Sequence, residues 1–154
     1  MTHRLDELDR RLIGALHAAP RAGVMELART LGVARGTVQA RMDRLVSRGV
    51  VSFAPQVDPP AMGYEVLAFT TLEIAQGRLD PVVAHLRSIA EVLEAHVTTG
   101  QSDLHCRIVA RTNEHLEEVL HRILEAKGIT RTTTVIALSD KIAYRVLPLV
   151  TDAP

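Results

Sequence analysis

The chain has 154 residues, which is enough for one domain or two small ones. Aromatic residues make up only 3%, with no Trp, so the composition argues against nucleic-acid binding by base stacking. A single cysteine, Cys106, excludes an internal disulfide framework. The charged N-terminus lacks an apolar signal region, and no apolar run approaches the roughly 18 residues of a membrane span. We therefore expect a soluble, cytoplasmic protein with no membrane partner.

The formal net charge is zero, but the charges are unevenly distributed along the chain. Residues 1–60 hold nine arginines and six acidic residues, a net charge of +3, and residues 61–154 carry a net charge of −3. Within residues 29–48 there are five arginines against a single acidic residue, Asp43. Positive charge concentrated in one short segment is typical of a DNA interface.

The first part of the chain has the apolar spacing of three helices separated by short breaks. Asp6 is predicted to cap the first helix, which ends before Pro20. The second helix is predicted at residues 25–31 and the third at 35–47. Val50, Val51 and Phe53 then indicate a short strand.

The two prolines of Asp58-Pro59-Pro60 mark a predicted domain boundary, because proline cannot sit in a helix interior or a central strand. The predicted domains are a DNA-binding domain at residues 1–57, a linker at 58–64 and a second domain at 65–154. The elements of the second domain are a strand at 66–74, a helix capped by Asp80 and opened by Pro81, strands at 92–98 and 103–110, a helix at 114–127 and a strand at 131–138. This βαββαβ order predicts a ferredoxin-like domain, and the chain as a whole is predicted to be α+β.

The segment MELARTLGVARGTVQARMDRL has the pattern of a helix-turn-helix. Ala28 supplies the small residue where the two helices meet, and Gly32 supplies a turn residue that tolerates positive φ. Val38 supplies the apolar anchor of the recognition helix. These three requirements are met in register, whereas Ala34 stands where a capping Ser or Thr is expected.

A recognition helix lies in the major groove of double-stranded DNA, where Arg pairs with guanine and Gln pairs with adenine. The sequence does not separate contacts to bases from contacts to phosphates, and a solvated helix face is the alternative interpretation of the arginines. The predicted DNA-binding residues are Arg35, Thr37, Gln39, Arg41, Arg44 and Arg48.

No catalytic residue, metal site or cofactor is predicted. The seven histidines include no pair at metal-ligand spacing, and there is no Ser-His-Asp or Gly-rich phosphate motif. His96 and His105 lie on strands that are expected to pair and so to approach each other, but ordinary polar strand positions explain them better.

Four stretches together resemble the Lrp/AsnC, or feast/famine, transcriptional regulators: LDELDRRLIGALHAAPR, ELARTLGVARGTVQARMDRLVSRGVV, VTTGQSDLHCRIVAR and GITRTTTVIAL. The resemblance covers about residues 5–150. It implies a winged helix-turn-helix domain joined to a ferredoxin-like regulatory domain. It also implies homodimers paired through their sheets, assembly to tetramers or octamers, and an amino acid or related metabolite as effector.

The resemblance also implies where the effector binds. The family's Gly-x-x-Asp loop matches Gly100, Gln101, Ser102 and Asp103, and a second wall matches Thr132, Thr133 and Thr134. Asp103 would accept from the ammonium group of an amino acid, and loop N–H groups and threonine hydroxyls would donate to its carboxylate. An ordinary hairpin turn is the alternative explanation of Gly100 and Asp103.

The function predicted from the sequence is therefore a sequence-specific transcriptional regulator that responds to an amino acid. Siroheme decarboxylases resemble the same family and use histidines on the regulatory-type domain, so His96 and His105 leave an enzyme as one alternative. An arginine-bearing recognition helix argues against it. The other alternative is an architectural DNA-binding protein that responds to no effector.

Overall fold

The computed structural model describes residues 5–151. The chain divides into two compact units, Met1–Pro55 with Ile142–Pro154, and Gln56–Lys141. The α+β class is confirmed: the first unit is helical, and the second combines a four-stranded antiparallel sheet with helices. Within residues 5–151, no helix has both the length and the apolarity needed to cross a membrane.

The first unit contains the three predicted helices, α1 (Glu7–Ala18), α2 (Val24–Leu31) and α3 (Arg35–Ser47). Asp6 caps α1 as predicted, because its carboxylate accepts from the N–H of Asp9 at 2.9 Å. The core of the first unit is aliphatic, and the buried residues that form it are Leu12, Leu16, Leu27, Ala28, Leu31, Val38 and Leu45.

The turn between α2 and α3 confirms the helix-turn-helix pattern. Gly32 has φ 68°, a left-handed conformation that favours glycine, and Ala28 and Val38 are both buried. Ala34 is at the N-cap of α3 and makes no side-chain capping bond, as its sequence position predicted.

The strand predicted at Val50, Val51 and Phe53 is wrong, because residues 52–58 adopt no regular structure. A strand needs a neighbour to pair with, and the described residues of this unit form only helices. Pro55 in addition lacks the N–H group that a ladder requires. The described part of the first unit is thus a helix-turn-helix without a β-wing.

The C-terminal segment differs from the predicted assignment of residues 142–154 to the second domain. The described residues of this segment belong to the first unit, where α6 (Leu147–Thr151) lies against α1. Leu147 and Val150 are half-buried there. A helix of five residues is too short to show a period in sequence, which explains why it was not predicted.

The second unit has the predicted βαββαβ order, and its sheet has the strand order β2-β3-β1-β4 with every neighbouring pair antiparallel. A short 3-10 turn at Pro60–Met62 precedes the sheet. The elements are β1 (Val66–Ile74), α4 (Leu79–Arg87), β2 (Val92–Val97), β3 (Leu104–Ala110), α5 (Asn113–Leu124) and β4 (Ile129–Ile136).

The two helices cover only one face of this sheet. Val82 and Leu86 of α4, and Val119 of α5, pack with the inward side chains of β1 and β3. The side chains that alternate with these point away from the helices. We call their surface the open face; its residues include Leu67, Phe69, Thr71, His105, Arg107, Thr133 and Val135.

The predicted cap of α4 is wrong by two residues. The helix begins at Leu79, Arg78 takes the N-cap position without a side-chain bond, and Asp80 lies inside the first turn. The carboxylate of Asp80 still sits at the positive end of the helix dipole.

Candidate functional site

The recognition helix α3 is held by one apolar stripe and exposes much of its remaining surface. Val38 and Leu45 are almost fully buried in the core of the first unit. Four of the six predicted DNA-binding residues are exposed: Arg35, Thr37, Gln39 and Arg48. The side chain of Gln39 donates to the carboxylate of Asp43, one turn further along, at 2.9 Å.

The other two predicted DNA-binding residues, Arg41 and Arg44, are paired with carboxylates at the start of α1. Nη2 of Arg44 donates to both carboxylate oxygens of Asp9 at 2.7 Å. Nη1 of Arg41 donates to Asp9 at 3.0 Å and also to the carboxylate of Asp6. We call these four residues the Asp–Arg cluster.

Burial and charge distinguish the two carboxylates of the Asp–Arg cluster. The side chain of Asp9 is 4% exposed, whereas that of Asp6 is 50% exposed. The hydrogen bond from Arg41, together with the N–H of Asp9, holds the pKa of Asp6 below its usual range. The bond to Asp6, with that to Asp9, raises the pKa of Arg41.

The Asp–Arg cluster changes the expected role of its two arginines. The sequence predicted that both arginines contact DNA, but in the structure both guanidinium groups turn back to α1. Sequence reasoning gave Asp9 no functional role and missed its contact with α3. The available signal was an acidic pair three residues apart facing an arginine pair three residues apart, a spacing that puts each pair on one helix face.

The predicted ligand loop, Gly100–Asp103, is closed by backbone hydrogen bonds onto itself and onto β1. The N–H of Thr98 donates to the carbonyl of Asp103 at 3.0 Å, and the N–H of Asp103 donates to Leu72 at 2.9 Å. The carboxylate of Asp103 accepts from the N–H of Ile74 at 2.6 Å through Oδ2. Gly100 has φ 112°, a conformation that favours glycine.

A cavity of about 150 Å³ lies beside this loop, with Asp103 in its wall. Antiparallel pairing of β1 with β3 brings the end of β1 to the start of β3, so the β1–α4 turn forms the opposite wall. The prediction missed these neighbours because it followed only the motif. The other lining residues are Ile74, Ala75, Gln76, Gly77, Leu79 and Val97.

The three predicted threonines do not join Asp103 in one site. Thr132 on β4 pairs with Leu72, whose other neighbour is Leu104 on β3, so β1 lies between β3 and β4 and keeps these two strands about 10 Å apart. Thr133 points to the open face and its neighbours point to the helix side. The hydroxyl of Thr134 is already bonded to that of Thr70 at 2.9 Å.

His96 and His105, on which the enzyme alternative rests, lie on the open face. His96 and His105 are directly opposite on β2 and β3, as expected. The ring of His105 stacks on Phe69 with centroids 5.7 Å apart, and His96 lies 3.5 Å from the carboxylate of Glu94. In the part of the chain that the structure describes, no three His, Cys, Asp or Glu residues are grouped to hold a metal.

Comparison with known proteins identifies both units. The family model described as the AsnC-type helix-turn-helix domain matches residues 5–46, and that of the Lrp/AsnC ligand binding domain matches residues 67–147. The HTH-type transcriptional regulator FL11 of Pyrococcus abyssi is 32% identical over 146 residues, covering 94% of this chain and 97% of that protein.

Solved structures agree with the sequence comparison. The structure of Escherichia coli AsnC has a TM-score of 0.86 at 30% identity, with coverage of 95% of this chain and 100% of that chain. A feast or famine regulatory protein from M. tuberculosis, complexed with L-methionine, has a TM-score of 0.80 at 31% identity and covers 93% of this chain and 98% of that chain. The named relatives are transcriptional regulators rather than enzymes.

Proposed function

Because this chain belongs to the Lrp/AsnC family of DNA-binding transcriptional regulators, we propose that it reads a specific DNA sequence through α3 and responds to an amino acid bound beside Asp103. The observation that carries the proposal is the exposed recognition helix, set against α2 by a left-handed Gly32 and a buried Val38.

On the DNA side, α3 enters the major groove. Its exposed candidates offer an amide for adenine, guanidinium groups for guanine or phosphate, and a hydroxyl for a phosphate oxygen. One helix makes few base contacts, so two copies bind a pseudo-palindromic site with half-sites about 10 base pairs apart. The contacting residues we propose are Arg35, Thr37, Gln39 and Arg48.

On the effector side, the cavity beside Gly100–Asp103 takes a neutral α-amino acid with an aliphatic or thioether side chain. Ile74, Leu79 and Val97 give its wall an apolar surface. The N–H of Ile74 donates to Oδ2 of Asp103, and the carboxylate has further lone pairs that can accept from an ammonium group. The L-methionine with which the M. tuberculosis protein is complexed has a side chain of this kind. The hydroxyls of Thr132 and Thr133 face different sides of β4, so at most a subset of the three threonines contacts the same ligand.

The working form of the regulator is a cytoplasmic homodimer that assembles to tetramers or octamers and needs no cofactor. Effector binding changes DNA affinity by favouring one arrangement of the assembled recognition helices.

The test is a thermal-unfolding screen against the standard amino acids. A ligand at about 100 times its dissociation constant adds roughly 2.7 kcal/mol to the free energy of unfolding, which raises Tm. We expect one neutral, apolar amino acid to raise Tm, and Asp103→Asn to abolish the rise because the neutral amide cannot form an ion pair with the ammonium group. Glu117→Gln, an exposed position on α5, is the matched control.

If none of the amino acids shifts Tm, or if Asp103→Asn responds as the wild type does, the loop is only a hairpin turn. Sequence-independent DNA binding together with no ligand response would instead support the architectural protein.

A further inference from the structure

Asp9 is the one buried charged residue in residues 5–151. Transfer of a carboxylate out of water is costly unless it is paired and hydrogen-bonded. Both charged partners of Asp9, Arg41 and Arg44, come from α3 and lie on the same side of that helix. The compensation for burying this charge therefore depends on where the recognition helix sits.

We propose that Asp9 is a positioning residue for DNA recognition. It withholds Arg41 and Arg44 from the phosphate backbone and uses them to fix the rotation of α3 about its own axis. The proposal rests on the assignment of α3 as the DNA-reading helix. It goes beyond that assignment, since Arg41 and Arg44 then position α3 and do not contact DNA.

The packing of α3 shows why a second attachment matters. Val38 and Leu45 lie on one narrow stripe, with Met42 half-buried between them. A helix held along a single apolar stripe is able to roll over its neighbours. The two guanidinium groups are three residues apart on an adjoining flank, so their bonds to α1 restrict that rolling.

The position of the carboxylates on α1 supports the same role. Asp6 is the N-cap and Asp9 is the third residue of the helix, and the two form a reciprocal capping box. The helix dipole favours negative charge at this end. Both carboxylates are thus held by bonds within α1 itself, which makes them a fixed reference for the arginines of α3.

The Asp–Arg cluster also affects specificity. A guanidinium that meets phosphate adds affinity for any DNA sequence, and it makes binding more dependent on salt. With Arg41 and Arg44 paired with the carboxylates of α1, DNA binding by α3 relies more on Arg35, Gln39 and Arg48. The ratio of specific to non-specific affinity is higher as a result.

The first experiment measures how DNA affinity depends on salt, using the full chain and a random-sequence duplex of about 30 base pairs, or three helical turns. Each phosphate contact contributes about 0.9 to the slope of log affinity against log salt. We expect Arg35→Gln and Arg48→Gln each to reduce the slope by about 0.9, and Arg41→Gln and Arg44→Gln to leave it unchanged.

The second experiment removes the carboxylates. We expect Asp9→Asn to free Arg44 and to leave Arg41 held by Asp6 alone, to steepen the slope by about 1 to 2, and to lower the ratio of affinity for a selected duplex over the random one. Asp6→Asn keeps the N-cap acceptor, since Asn caps as well as Asp, and removes one of the two carboxylates that hold Arg41, so we expect its slope to steepen by less than that of Asp9→Asn. If Asp9→Asn does not fold, Asp6→Asn and Arg41→Gln still decide the question.

A merely structural role for Asp9 would weaken binding without steepening the slope, and that result overturns the proposal. So does a loss of slope in Arg41→Gln or Arg44→Gln equal to that in Arg48→Gln. Failure of the underlying assignment looks different: in that case Arg35→Gln and Arg48→Gln also leave the slope unchanged.

Discussion

A titratable side chain in the core of the second unit links stability to pH. Cys106 on β3 is fully buried, and burial raises the pKa of its thiol from an ordinary value of 9.0 to about 11. Below pH 9 the thiol is protonated in both the folded and the unfolded chain, so its contribution to stability is fully present. Between pH 9 and pH 11 the unfolded chain loses this proton first, which favours unfolding.

We therefore expect the free energy of unfolding to fall by about 2–3 kcal/mol over this pH range because of Cys106 alone, since each tenfold difference in acidity between the folded and unfolded chain is worth about 1.36 kcal/mol. The measurement is urea unfolding at several pH values for the wild type and for Cys106→Ala. Other groups titrate in both proteins, so the difference between the two curves isolates the thiol. Parallel curves would show that the thiol is accessible to water.

At the scale of elements, α3 begins without a cap. Ala34 has the extended conformation of an N-cap residue, with φ −64° and ψ 145°, but it has no side-chain acceptor. We expect Ala34→Ser to raise the free energy of unfolding by about 1 kcal/mol, because the hydroxyl accepts from the first-turn N–H of Gly36 or Thr37.

Ala40→Ser is the control for the capping prediction. It places the same hydroxyl at an exposed position inside α3, where serine lowers helix propensity by about 0.5 kcal/mol. Chemical denaturation of the two variants checks the sign. A gain in both, or in neither, would mean that capping at residue 34 does not limit this helix.

The elements that were predicted well carry a clear apolar pattern along their own length. The helix of Arg35–Ser47 and the strand of Val66–Ile74 were predicted with the bounds that the structure shows. The strand at Val50 failed because a strand depends on a partner that local sequence does not specify. The contacts of Arg41 were not predicted for a related reason: its partners Asp6 and Asp9 are 35 and 32 residues away, and only the packing of α1 beside α3 brings them together.

In the candidate ligand site, too, local motifs were predicted and contacts between distant segments were not. Asp103 was predicted from a motif, whereas Gln76 and Leu79 reach the same cavity only through the antiparallel register of β1 and β3. The strand order places β1 between Asp103 and the threonines of β4. The two sequence motifs of the family do not indicate this separation, because neither motif includes β1.

At the scale of the whole molecule, the open face of the second unit is the surface that bears on assembly. Helices α4 and α5 cover the other side of the sheet, and the open face carries apolar side chains such as Phe69 and Val135. Val135 is 58% exposed. Apolar side chains grouped on an uncovered sheet are typical of a protein interface, which fits the expectation that family members pair through their sheets.

We expect the wild type to sediment as a dimer or larger species and Val135→Glu to sediment as a monomer, because a carboxylate buried in such an interface would be unpaired. The exposed position of Val135 means that the substitution leaves each protomer folded. Leu124→Glu makes the same chemical change at an exposed position on α5 and is the matched control.

Loss of dimer formation in Val135→Glu should also weaken DNA binding. Two linked recognition helices bind as one unit, and linkage of this kind raises affinity by about 10² to 10⁴. The affinity of the monomer for a duplex selected by the wild type should fall by about 100-fold or more, while each helix retains its contacts. A variant that sediments as a monomer yet binds that duplex as tightly as the wild type would show that one recognition helix is sufficient.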